Sequence, residues 1–264
     1  MTEAPTTGGL RVEVRDRVGY VTIDRPERRN ALGSAEMAAL VETFVRFDAD
    51  DDVWAVVVTG AGDKAFSAGR DLKELAGRDS AGARPPSPMR EPMRNPFEVV
   101  LECRKPTVAA LNGAALGGGL ELALACDVRL AADTATLALP EALRGMGAIF
   151  GSVMLPRLVP LGIAYDMLYT GRTVTADEAA RWGLVNRVVP AADLPGATDE
   201  YLRTLLANAP LTIRRYKQII QSSLHQAPAA ALRLDVRPDP YSSEDRVEGV
   251  RAFAEKRAPR WRAR

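Results

Sequence analysis

At 264 residues, with 47% hydrophobic and 26% charged side chains, the chain has the make-up of a globular protein with a sizeable core, in one large domain or two modest ones. A formal charge of +1 gives no global field to gather nucleic acid or an anionic membrane, so a phosphate-bearing ligand must be held by local groups. No apolar run approaches the ~20 residues of a membrane span, and MTEAPTTGG lacks the basic and apolar regions of a signal peptide, so a cytoplasmic protein is the default expectation.

The segment LRVEVRDRVGYVTID, residues 10–24, predicts two short strands turned at Asp16–Gly19, since its valines alternate with polar residues. Arg25-Pro26 breaks that pattern. Ser34 is then a good N-cap for a helix with Met37, Leu40, Val41 and Phe44 on one face. Trp54–Thr59 is a β-branched run of the kind covered on both faces, and Val108–Leu111 and Val128–Ala131 repeat it. A glycine-rich turn and an apolar helix lie between the last two. Strand, turn, helix and strand in succession predict an α/β fold with βαβ units and a mainly parallel sheet. Gly77–Pro96, with five prolines, four arginines and almost no large aliphatics, reads as a surface loop bordering a binding site. Beyond residue 155 the periodicity is helical, over about 164–169, 176–182, 194–207, 211–226 and 243–256. With no linker and no solenoid repeat, an α/β core with a C-terminal helical extension is the simplest account.

The single histidine, His225, sits in LTIRRYKQIIQSSLHQAP, where a solvated helix face explains it. That weakens the case for histidine-based hydrolysis, argues against histidine-rich metal centres, and points to carboxylates as the acids and bases. Cys103 and Cys126 lie in apolar surroundings and read as buried free thiols.

Three features have the right chemistry for a site. Gly117-Gly118-Gly119 opens a helix, whose first amides lack internal partners and face outward at the positive end of the dipole, as an oxyanion requires. A tight turn needing positive φ is the alternative. The loop from Lys64 to Leu72, KAFSAGRDL, also follows a buried strand and leads into a helix, so its amides and those of the triplet either converge on one carbonyl oxygen or belong to unrelated connections. Glu121, among Leu120, Leu122, Ala123 and Leu124, either caps its own helix or projects into a cavity. Glu141, after Pro140, is either a solvated loop carboxylate or its partner. Two glutamates on one pocket would repel each other and be desolvated, which raises both pKa values toward neutrality.

Six segments in order, IDRPERRNAL (23–32), KAFSAGRDLKEL (64–75), KPTVAALNGAALGGGLELALACDVRLAAD (105–133), LPEALRGMG (139–147), LYTGRTVTADEAARWGLVNRVVP (168–190) and SEDRVEGVRAFAEKRAPRW (243–261), resemble the crotonase superfamily, enoyl-CoA hydratases above all. The resemblance implies a spiral core of ββα turns with two roughly perpendicular sheets over residues 1–195, and a helical region over 196–264 used in assembly as a homotrimer or a hexamer of two trimers. It implies an acyl-CoA thioester substrate, with coenzyme A part of that substrate and no separate cofactor, no metal, no nucleic acid and no membrane partner. The oxyanion hole falls on the backbone N–H groups of Arg70 and Gly118, next to Gly117, and the catalytic carboxylates on Glu121 and Glu141. Coenzyme A would follow Phe66, Ala68 and Asp71, with Arg28, Arg29 and Lys64 near its phosphates. An isomerase or a dehydratase of a functionalised acyl group is the alternative within the superfamily, and a non-catalytic or RNA-binding relative the alternative outside catalysis. One departure stands out. Where hydratases have a proline-glycine-rich turn, this chain has GMGAIFGS, and Ile149 and Phe150 put bulk where small residues seat the water and acyl chain.

Overall fold

The computed structural model describes residues 6–82 and 94–264. A short strand, β1 (Thr6–Thr7), pairs antiparallel with β2 (Leu10–Arg15), which forms a hairpin with β3 (Val18–Ile23). Asp16 and Arg17, at φ 48° and 67°, make its two-residue turn, and both positive angles match the right-handed twist of the flanking strands. Helix α1 (Ser34–Ala49) starts one residue earlier than Ser34 as cap would allow. Gly33 is its N-cap, the Glu36 carboxylate accepts the Gly33 N–H at 2.8 Å, and the Ser34 hydroxyl donates instead to Glu74.

From there the chain makes three similar turns. Each runs through a strand of a large sheet, then a three-residue strand of a small sheet, then helix. The first comprises β4 (Ala55–Gly60), β5 (Ala65–Ser67), α2 (Leu72–Ser80) and α3 (Pro96–Glu102). The second is β6 (Thr107–Leu111), β7 (Ala114–Leu116) and α4 (Gly118–Ala125). The third is β8 (Val128–Ala132), β9 (Thr136–Ala138), a 3-10 turn at Pro140–Arg144, α5 (Ile149–Leu158) and α6 (Leu161–Thr170). Then β10 (Val174–Thr175) closes the small sheet, α7 (Ala176–Arg181) follows, and β11 (Arg187–Val189) the large one. The large sheet has the order β1-β2-β3-β4-β6-β8-β11 and the small one β10-β9-β7-β5. Pairing is parallel throughout the spiral, and antiparallel at β1/β2, β2/β3 and β9/β10.

The spiral of ββα turns is therefore present, and the single mainly parallel sheet read from the strand pattern is two sheets. β5, β7 and β9 had no period to reveal them: each spans three residues, rich in alanine. Their packing explains them. β4 and β6 are buried along almost their whole length, with helices on one side and the small sheet on the other.

Helices α8 (Leu194–Leu206), α9 (Pro210–Ser223), α10 (Pro228–Ala231) and α11 (Glu244–Ala254) complete the chain. A division at 195/196 would cut α8, which packs on β6 and β8 through buried Leu194, Ala197 and Leu202. The 77–96 loop also needs correcting: α2 runs on to Ser80, and Asn95, Pro96 and Glu98 form a capped start to α3. The rest of that loop, 83–93, lies outside the described residues. Cys103 and Cys126 are free and buried, which pushes their thiols up to about 11 and about 12. His225 is exposed on the turn after α9. Among the described residues no helix is long and apolar enough to cross a membrane.

Candidate active site

Parallel pairing of β5, β7 and β9 sets their C-terminal ends side by side along one edge of the small sheet. Arg70 follows β5, Gly118 follows β7, and Glu141 follows β9. The topology alone thus gathers residues far apart in sequence. Gly69 and Gly117 let the turns meet. A Cβ on Gly69 would lie 2.4 Å from the Leu116 carbonyl oxygen and 2.8 Å from the Gly118 nitrogen. Gly117 adopts φ 53°, ψ −125°, and a Cβ there would sit 2.7 Å from a Glu141 carboxylate oxygen.

Arg70 bridges Leu32 in parallel. Leu32 N–H donates to Gly69 O at 2.7 Å, and Asp71 N–H donates to Leu32 O at 3.0 Å. That pairing uses the groups on either side of Arg70, so the Arg70 N–H points away from Leu32 and toward the Gly117-Gly118 turn. The Gly118 N–H is the first of α4 and has no intrahelical acceptor. Two unspent donors therefore face one spot, beside the Phe97 ring that packs 3.4 Å from where a Gly118 Cβ would be.

Glu121, one turn further along α4, is 7% exposed, and its Oε1 accepts the Gly151 N–H at 2.8 Å. Burial pushes its carboxyl up to about 7; the amides of Gly151 and Phe150 oppose this and the charge of Glu141 adds to it. Burial raises Glu141 too, against its own backbone amide and the Arg144 charge, and its buried Oε2 has no partner among the described residues. Both glutamates, Arg70 and Gly118 line one cavity of about 500 Å³, walled by Leu32, Met37, Leu72, Leu75, Phe97 and Phe150. Such an arrangement can polarise a carbonyl and move a proton on and off a carbon beside it.

The remaining residues divide. Ile149 is 42% exposed and lines both this cavity and a neighbouring one of about 410 Å³, where Glu141 also appears. Phe150 is only 5% exposed, with its ring centroid 5.6 Å from that of Phe97, so it is core and cavity wall at once. The Phe66 ring is fully buried, which leaves its backbone as the part a ligand could meet. Asp71 is likewise engaged within the protein: it caps α2 and pairs with Arg25 at 3.2 Å and Arg28 at 2.8 Å. Burial would raise its carboxyl, but those guanidinium groups and the Glu74 N–H hold it low. Ala68 is tied by its N–H to Arg29 O, while Arg29 and Lys64 are exposed outside the cavity. Sequence reasoning missed the Gly151 amide and Phe97. The Asn-Pro-x-Glu start of α3 was the available signal for Phe97.

The model for the enoyl-CoA hydratase/isomerase family matches residues 13–264. The chain belongs to that family. Among curated members of the family, the carnitinyl-CoA dehydratase of Salmonella typhi is 39% identical over 251 residues, covering 92% of this chain and 94% of that protein. The Salmonella arizonae enzyme of the same name is 40% identical over 260 residues, covering 96% and 98%. Among solved structures of the family, the enoyl-CoA hydratase from Mycobacterium tuberculosis H37Rv superposes with a TM-score of 0.86 at 33% identity, over 97% of this chain and all of that one. A probable enoyl-CoA hydratase/isomerase from Mycobacterium abscessus gives 0.86 at 35%, over 98% of this chain and 100% of the other. The fold is thus that of the crotonase superfamily, whose substrates are CoA thioesters.

Proposed function

We propose that this chain is an enoyl-CoA hydratase, adding water across the 2,3 double bond of an enoyl-CoA thioester. The observation that supports it most is the pair of glutamates on one cavity, facing two unspent amides. In this reading the thioester oxygen accepts from the N–H groups of Arg70 and Gly118, which stabilise the enolate formed as water attacks the β-carbon. Glu121 and Glu141 hold the water between them. One takes its proton and the other supplies one to the α-carbon, so the pair ends with the proton count it began with. With one carboxyl at about 7 and the other raised, the pair can share a single proton near neutral pH.

Incubation with crotonyl-CoA, following loss of the conjugated thioester absorbance, tests the reading. Glu121→Gln and Glu141→Gln should each lower kcat by roughly 100-fold or more. Retention of activity in either variant, or migration of the double bond without a 3-hydroxyacyl product, would refute it. Dehydration of a functionalised acyl group is the second reading, favoured by the dehydratase relatives and by the bulk of Phe150. It employs the same groups in reverse. Coenzyme A is taken to lie along the backbone of Phe66–Asp71, with Arg28, Arg29 and Lys64 near its phosphates, in a cytoplasmic homotrimer or hexamer. Sedimentation at micromolar concentration would read the assembly.

A further inference from the structure

Pro140–Arg144 is a 3-10 turn, which returns to the same face every three residues. Glu141 and Arg144 therefore project side by side, and both line the cavity. They are separated by about 6 Å along the axis of the turn. Arg144 is exposed, its Nη1 donates only to Pro140 O at 3.4 Å, and among the described residues it forms no ion pair. The other guanidinium on this cavity, that of Arg70, contacts the Met37 sulfur at 2.9 Å. Among the described residues Asp79, on α2, is the one lining carboxylate besides the glutamates, and it pairs with neither arginine. Besides Glu141, whose carboxyl feels the Arg144 charge, the wall near Arg144 is Met146, Gly147, Ile149 and Phe150, all uncharged.

On the hydration reading, the β-carbon lies at Glu141. A longer acyl group running along the turn then brings its end toward Arg144. We infer that Arg144 is a specificity residue that binds a carboxylate at the far end of a short enoyl group, so that the preferred substrates are monothioesters of unsaturated dicarboxylic acids. Guanidinium and carboxylate match as a two-pronged pair. A quaternary ammonium end would be repelled by the same group. A plain alkyl end would gain no charge-assisted bond from it.

Matched acyl-CoA esters of one chain length, ending in a methyl, a carboxylate or a trimethylammonium group, test this. The saturated esters are titrated by calorimetry, which needs no turnover, and the 2-enoyl esters are followed by absorbance. The carboxylate ester should bind roughly 10- to 100-fold more tightly than the methyl ester, as a charge-assisted bond provides, with the ammonium ester weakest. In Arg144→Met the preference should vanish, and in Arg144→Lys part of it should return. Equal binding of carboxylate and methyl esters by the wild type, or an unchanged ratio in Arg144→Met, would overturn the assignment. If the binding preference follows Arg144 but no enoyl ester loses its absorbance, the specificity assignment stands and the hydration reading falls.

Discussion

Glu121→Gln should inactivate the enzyme and, above neutral pH, make it more stable. Glu121 moves from a glutamate's ordinary 4.5 to about 7 on folding, chiefly through burial. At about 1.4 kcal/mol per pH unit, ionising it inside the protein costs about 3 kcal/mol more than in the unfolded chain. The sign follows from the folded state holding its proton longer. Below pH 4.5 both states are protonated and the group is neutral to stability; as pH rises to 7 stability is lost, and beyond that the full cost remains. Glutamine keeps the shape, still accepts the Gly151 N–H, and never ionises. Thermal melts at pH 4.5 and pH 8 should therefore show little change at the lower pH and a rise of roughly 5–10 °C at the higher. Repulsion from Glu141 adds to that cost and is lost together with the Glu121 charge in the variant. Equal shifts at both pH values, or a fall at pH 8, would show that the Glu121 carboxylate is held by compensating contacts and is not strained.

The wild-type kcat/KM should rise or fall through a step near pH 7, and Glu121→Gln should flatten the residual profile there. Gly117→Ala places a methyl 2.7 Å from a Glu141 oxygen on a backbone that favours glycine, so kcat should fall at least tenfold while far-ultraviolet dichroism is unchanged. Ile149→Ala should cost little stability, because the side chain is 42% exposed, and should raise kcat/KM for longer acyl chains by joining the two cavities. Phe150→Ala empties a packed position against Phe97 and should cost about 3–5 kcal/mol in urea titrations. An unaltered chain-length profile in Ile149→Ala would leave that residue without a part in selection.

The parts of the fold with strong periodicity were legible in the sequence: the β2–β3 hairpin, the runs in β4, β6 and β8, and helices α8, α9 and α11, each within two or three residues. The small sheet was not, because strands such as Ala65–Ser67 and Ala114–Leu116 are too short for alternation to register. Its order is what places Arg70, Gly118 and Glu141 together. So the individual residues could be named from motif resemblance, while the reason they meet lies in a sheet that local patterns hide. At Asp71 and Phe66 the motif did not reveal what the side chains do within the protein: one pairs with Arg25 and Arg28 and the other fills the core. Gly151 was noticed only as part of an unusual turn, since a backbone donor leaves no signature beyond the helix start that exposes it.

Each of the three spiral turns brings one component to the same edge: the first the Arg70 amide, the second the Gly118 amide with Glu121 behind it, the third Glu141. The division of labour makes the enzyme modular. On the proposed mechanism, changes in the third turn can retune proton handling and the choice of acyl group, because the other two hold the carbonyl. GMGAIFGS and Arg144 both fall in that third turn. Chimeras that exchange residues 139–158 with a relative's should therefore trade substrate preference while keeping the affinity for the thioester carbonyl, a separability that a site built on one continuous loop would lack.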